Sequence, residues 1–112
     1  MPRPAATEDV FRAVADPTRR AALEILGRRH DVPVTALAGE LGVGLPMLSR
    51  HLAVLRAAGL VTERRDGRQR RYRLRPEPLR ELYDWAAIFR DFWPEKIDNL
   101  RSYLDRVAKD ET

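Results

Sequence analysis

Twelve residues, Arg64 to Arg75, carry seven arginines (64, 65, 68, 70, 71, 73 and 75) and a single acid, Asp66. A guanidinium is planar and always charged, and its fork of donors matches the oxygens of a phosphate. So many like charges in so short a stretch repel one another, and a merely solubilising surface would mix signs. The chemistry this implies is contact with a polyanion: phosphates followed along a backbone, with one arginine suited to a narrow minor groove. The competing explanation is a solvated hairpin whose charges keep a strand edge from pairing.

A second stretch, "LGVGLPMLSRHLAVLRAAGLV" (residues 41–61), adds a different chemistry. Leu48, Leu52 and Leu55 fall at i, i+4 and i+7, one buried face of a helix. Ser49 and Arg50 fall on the outer face. A short helix, a tight turn and a second helix of this kind can lay the N-terminal end of the second helix against base edges in a major groove. The leading turn is unusual for that purpose, because Gly44, Leu45 and Pro46 carry no side-chain donors. Leu45 and Met47 are fitted to apolar contact with thymine methyls. Ser49 and Arg50 are the polar candidates, and His51 is a phosphate contact or a structural residue. A helical hairpin that only builds a core is the alternative for this segment.

Other chemistries are poorly supplied. There is no glycine-rich phosphate loop, no nucleophile-elbow serine, and no cluster of His, Asp and Ser. The absence of cysteine excludes disulfides and thiolate metal sites, and two histidines, His30 and His51, do not make a multi-histidine site. Glu77 and Glu81 lie at helical spacing and read as a solvated face. The expectation is a protein that is not an enzyme and needs no cofactor or metal. The apolar runs are too short to span a bilayer and "MPRPAATEDV" lacks a signal-peptide core, so the expected location is the cytoplasm with no membrane partner.

The positioning elements follow from pattern. The chain has 112 residues, 34% of them charged and 44% hydrophobic, which fits one domain over 1–112. Residues 1–75 hold 15 basic against 8 acidic side chains, and residues 76–112 hold 6 against 9, so the front faces the polyanion and the back serves another purpose. "MPRPAA" reads as a loose arm. A first helix is expected from about Thr7 to Val14, capped by Thr7. A second is capped by Asp16 with Pro17 in its first position. A third carries Leu37, Ala38 and Leu41 inward and ends at Gly42. The fourth runs from about Leu45 to Ala58 and stops at Gly59. Asp66-Gly67 then turns a hairpin, in which Tyr72 and Leu74 share one face and Gln69, Arg71 and Arg73 the other. Pro76 closes it. Leu79, Leu82, Ala86, Phe89, Trp93, Ile97, Leu100, Leu104 and Val107 then form a helical seam, kinked or split near Pro94. The fold class is mainly α with a small β-hairpin wing, in the order α-α-α-α-β-β-α.

That seam needs a cover. A two-fold dimer would bury it and set two recognition helices about one DNA turn apart. The face around Leu82, Phe89 and Trp93 is expected to be mostly intermolecular. Two other readings stay open: an interaction module whose aromatic C-terminal segment docks a partner helix, and a regulator with a small-molecule effector bound among Trp85, Phe89, Phe92 and Trp93.

In combination, "VFRAVADPTRRAALEILGRR", "LAGELGVGLPMLSRHLAVLRAAGLVTERRDGRQRRYRL" and "LRELYDWAAIFRDFWPEKIDNLRSYL" resemble the ArsR/SmtB-type winged helix-turn-helix repressors. They resemble in particular a metal-independent branch with a long aromatic C-terminal segment. The resemblance spans about Val10 to Val107. It implies a homodimeric repressor that binds double-stranded operator DNA, with residues 1–14 and 77–107 as dimerisation helices. It places recognition contacts on Gly44, Leu45, Pro46, Met47, Ser49, Arg50 and His51, and wing contacts on Arg65, Arg68, Arg70 and Arg71. It places dimer contacts on Val10, Phe11, Leu82, Trp85, Phe89, Trp93, Ile97 and Leu100. The chain departs from the pattern in two ways. Metal-sensing relatives carry cysteines in the recognition helix or His and acidic ligands on the last helix, and this chain has no cysteine and no histidine after His51. Relatives also open the recognition helix with Ser and Gln, where Gly44 and Leu45 stand here.

Overall fold

The computed structural model describes residues 9–110, with the side chains of residues 94–99 and 109–110 outside the description. The elements are α1 (Val10–Ala13), α2 (Pro17–Arg29), β1 (Asp31–Pro33), α3 (Val34–Leu41), α4 (Leu45–Ala57), β2 (Val61–Asp66), β3 (Gln69–Leu74), α5 (Leu79–Ala87), a 3-10 turn (Arg90–Phe92) and α6 (Pro94–Asp110). They fall into two compact units that divide between Leu82 and Tyr83.

The first unit grows from its caps. The expected cap Thr7 lies outside the described residues; α1 is capped by Asp9, whose carboxylate accepts from the Phe11 amide at 2.8 Å. Asp16 caps α2, accepting from the amides of Thr18 at 2.8 Å and Arg19 at 3.1 Å, and Pro17 occupies the first turn. The two arginines that follow close the preceding helix. Arg19 Nε donates to the Ala13 carbonyl and Arg20 donates to the Val14 carbonyl, both at 2.7 Å. These are carbonyls a helix end leaves unpaired. The segment "ADPTRR" thus ends one helix and starts the next.

Gly42 ends α3 in the left-handed region with φ 68°. Gly59, at φ 78°, follows α4, with its amide bonded to Arg56 O and the Leu60 amide to Leu55 O. That pair of bonds is the Schellman arrangement, and it turns the chain directly into β2. The wing is the expected hairpin. Its register pairs Asp66 with Gln69 and Glu63 with Tyr72, and Gly67 supplies φ 63° at the turn.

One element was not expected. Asp31–Pro33 forms a third strand, giving an antiparallel sheet in the order β1-β3-β2 with Asp31 opposite Arg73. Three residues ending in proline show no period-two pattern, and their pairing is with residues about forty positions away.

The core of this unit joins every element. Leu26, Leu37, Leu48, Leu52, Leu55, Leu60 and Val32 are its largest fully buried side chains. Phe11, Leu79 and Leu82 pack partly against it. The stripe read on α4 is therefore the one that locks the helix to α2 and α3. The second unit comprises the rest of α5, the 3-10 turn and α6. The helical seam breaks after Ala87, several residues before Pro94, and resumes with Pro94 in the first position of α6.

Leu52 on α4 is 1% exposed. Replacing it with alanine leaves a cavity in a small core, and we expect a loss of about 2–5 kcal/mol in denaturant unfolding. A loss below about 1 kcal/mol would mean that α4 is not locked to the core as described.

Candidate nucleic-acid interface

The N-terminal turn of α4 is open to solvent. Leu45 and Met47 are 44% and 46% exposed, unusual values for large apolar side chains, and Gly44, Pro46 and Arg50 are exposed with them. Gly44 is the N-cap and provides no side-chain acceptor. The first backbone bond of the helix runs from the Leu48 amide to Gly44 O at 3.0 Å. The amides of Leu45 and Met47 precede it and point out of the positive end of the helix dipole, where an anionic oxygen is favoured.

His51 and Ser49 sit one turn further in, half-buried, and both are engaged. Arg19, already bonded to the α1 carbonyls, reaches His51 Nδ1 with its guanidinium at 3.2 Å. Arginine can only donate, so Nδ1 is the acceptor in this bond. Ser49 Oγ accepts from Arg70 of the wing at 3.2 Å.

The arginines of the hairpin separate into three groups. Arg64, Arg71 and Arg73 gather around Asp31 of β1, at 2.9, 3.1 and 3.7 Å. Arg71 also donates to the Asp31 carbonyl. The hydrogen bond from Arg64, then that from Arg71, holds the Asp31 carboxyl below its ordinary value. Arg70 lies on the opposite face, between Ser49 and Glu63. Arg65 and Arg68 are exposed near the tip, with no ion pair to an acid among the described residues. The sequence placed Arg65, Arg68, Arg70 and Arg71 together as wing contacts. The structure leaves the first two open to solvent and commits Arg71 to the sheet.

Glu63 is the residue that sequence reasoning missed. Its carboxylate accepts from Tyr72 Oη at 2.7 Å, from Arg56 of α4 at 2.7 Å and from Arg70 at 3.5 Å. The Tyr72 hydrogen bond, then the charges of Arg56, Arg70 and the more distant Arg65, lowers its pKa against the cost of its burial. Burial and the adjoining carboxylate push the Tyr72 phenol up to about 12, so it remains a donor at any ordinary pH. The signal for Glu63 was weak: one of two acids in a short strand, with nothing local to name its partners. Asp31, Arg19 and Arg56 were missed for the same reason, since each has its partner in another element.

In the second unit Trp85 and Phe89 meet edge to face at 5.3 Å. Phe92 is 82% exposed, Tyr83, Ile88, Leu100, Tyr103 and Leu104 are also exposed, and Trp93 is partly buried. Of the expected dimer contacts, Val10 is spent in the core of its own chain, Phe11 and Leu82 partly so, and the Ile97 side chain lies outside the described residues. No three of His, Asp and Glu come together to hold a metal ion among the described residues.

The Glu63 pKa lies below its ordinary value of 4.5, so the stability this carboxylate provides is present above that value and lost as pH falls through the folded one. We expect the urea midpoint to decline between about pH 5 and pH 3 and to decline less steeply in Glu63→Gln. Parallel declines in the two proteins would remove Glu63 from the network.

Residues 16–63 match the model of the bacterial regulatory proteins of the arsR family. Over 101 residues the chain is 31% identical to the arsenical resistance operon repressor of Escherichia coli, a match covering 89% of this chain and 83% of that one. It is 41% identical over 68 residues to an arsenic resistance transcriptional regulator of Pseudomonas putida, where the match covers 61% of this chain and about half (53%) of the relative. Among solved structures it resembles the solution structure of a homodimeric winged helix-turn-helix DNA-binding domain from Mycobacterium bovis, with 30% identity, a TM-score of 0.58, and coverage of 72% of this chain and 74% of that one. The recognition helix, the wing and these likenesses agree, and the chain belongs to the arsR family of bacterial transcriptional regulators, built on a winged helix-turn-helix.

Proposed function

We propose that the protein is a homodimeric transcriptional repressor that binds a palindromic operator, with α4 in the major groove and the tip of the wing on the adjoining backbone. The observation that carries this reading is the open N-terminal turn of α4 beside a wing whose Arg65 and Arg68 are not paired with acids. Leu45 and Met47 meet thymine methyls, Arg50 meets a base edge or phosphate, and the amides of Leu45 and Met47 take a phosphate oxygen. Pro46 shapes that turn. Ser49, His51 and Arg70 lie close behind; their bonds to protein groups can be exchanged for phosphate oxygens at small cost. Arg71 orients the wing from its place on Asp31.

The dimer forms through residues 1–14 and 77–107. Support comes from the exposed apolar side chains on α5, the 3-10 turn and α6, and from the homodimeric state of the M. bovis neighbour. Association costs roughly 4–15 kcal/mol in lost freedom. Burying one large apolar side chain returns roughly 1.5–3 kcal/mol, so several must be covered together. Tyr83, Trp85, Ile88, Phe92, Leu100 and Leu104 supply that number.

Replacing Arg65 and Arg68 together with alanine removes two guanidinium groups from each protomer. We expect weaker operator binding and a salt dependence flatter by about 3–4 units of slope, at about 0.9 per phosphate contact. An unchanged slope in gel-shift titrations across salt would take these residues out of the interface. Phe92→Glu with Leu104→Glu should shift sedimentation from dimer toward monomer and weaken operator binding by tenfold or more. A variant that remains dimeric would place the interface elsewhere.

A further inference from the structure

A half-open cavity of about 570 Å³ lies where the last turn of α2 meets the end of β3, lined by Leu26, Gly27, His30, Arg73, Leu74 and Pro76. No acid lines it. Leu74 and Pro76 form an apolar floor with the fully buried Leu26 behind it, and Arg73 and His30 supply the polar rim.

Three features of these residues are not required by the fold. His30 ends α2 at φ 71° and ψ −66°, and it is the one residue other than glycine with positive φ among those described. These are the angles of the strained form of the γ-turn, and such strain collects at binding sites. Gly27 stands in the C-terminal half of a helix, where glycine weakens the helix. A Cβ there would come no nearer than 3.7 Å to Leu74, an ordinary contact, so no close approach of chains demands glycine. Its missing side chain keeps the cavity open. Arg73 is the loosest of the three arginines on Asp31, at 3.7 Å with its side chain 66% exposed. If Arg73 turns away, Asp31 keeps Arg64 and Arg71.

We propose that this cavity binds a small amphipathic carboxylate, with its apolar body on Leu74 and Pro76 and its carboxylate on Arg73 and His30. A guanidinium grips a carboxylate through two parallel hydrogen bonds. The C-terminal end of α2 carries about half a negative charge, which opposes an anion. Arg73, once turned from Asp31, and Arg28 in the same last turn outweigh it; Arg29 is paired with Glu40. A bare inorganic anion would leave the apolar floor wet, and an uncharged amphiphile would offer Arg73 no charge to replace that of Asp31. The site lies on the strand that carries the wing arginines, so an occupant acts on the element the DNA reading depends on.

Binding is tested on the whole chain, without DNA, by amide NMR titration with benzoate, phenylacetate and octanoate. Phenylethanol serves as the uncharged comparison and inorganic phosphate as the bare anion. We expect saturable shifts centred on Gly27, His30 and Leu74 with at least one carboxylate, and at least tenfold weaker binding of both comparison compounds. Gly27→Leu should abolish binding by filling the cavity, and Arg73→Gln should weaken it about tenfold. Should Gly27→Leu not fold, Arg73→Gln, altered at an exposed position, carries the test alone. The proposal is overturned if no carboxylate gives saturable shifts there, if phenylethanol or phosphate binds as well, or if Arg73→Gln binds undiminished. DNA binding can persist or fail independently of every one of these outcomes.

Discussion

The carboxylate of Glu63 is where the recognition helix and the wing are joined. It takes a hydrogen bond from Tyr72 across the hairpin and a salt bridge from Arg56 on α4. Arg70, bonded to Ser49 on α4, leans on it as well. Beyond its pairing with β1 at Arg71–Arg73 the wing is a two-stranded ribbon, which has little stability by itself. Its angle to α4 decides whether both can reach the same duplex. One acid on β2 thus fixes the geometry of two elements that the chain separates by a turn. Tyr72 contributes twice, since its ring belongs to the buried core while its hydroxyl reaches Glu63.

Asp31 performs the matching task on the other face of the sheet. Three arginines converge on it from β2 and β3, which relieves the repulsion that a run of seven would otherwise carry. The wing is therefore less uniformly basic than its composition. Arg64, Arg71 and Arg73 hold the sheet through Asp31, and Arg65 and Arg68 offer their charge outward with no ion pair to an acid among the described residues. A partly exposed ion pair adds little stability alone. Its value here lies in orienting β1 against β3, which carries the chain from α2 into α3 beside the wing.

The helices, the stops at Gly42 and Gly59, and the hairpin at Asp66-Gly67 were legible because their signals are local. Caps act within three residues, and the apolar stripe Leu48–Leu52–Leu55 repeats within one helix. The strand at Asp31–Pro33 was not legible, because nothing in three residues announces a partner forty positions on. The same limit hid the roles of Asp31, Glu63 and Arg19. It also made Arg71 look like its neighbours Arg68 and Arg70, although its guanidinium faces β1. The seam after Leu79 was read correctly as helical and split near Pro94: the break runs from residue 88 to 93 and ends at the proline. In α4 the puzzle of a leading turn without donors finds a physical answer: Gly44 caps without occupying the amides, and Leu45 and Met47 present apolar surface to solvent.

The central claim is that this open turn reads sequence while the wing supplies charge. Selection of bound duplexes from a randomised pool by the intact protein tests it most directly. We expect enrichment of a two-fold symmetric site whose half-sites are centred about 10 base pairs apart, with thymines at the positions facing Leu45 and Met47. Recovery of duplexes with no common sequence, bound as tightly as the starting pool, would contradict it.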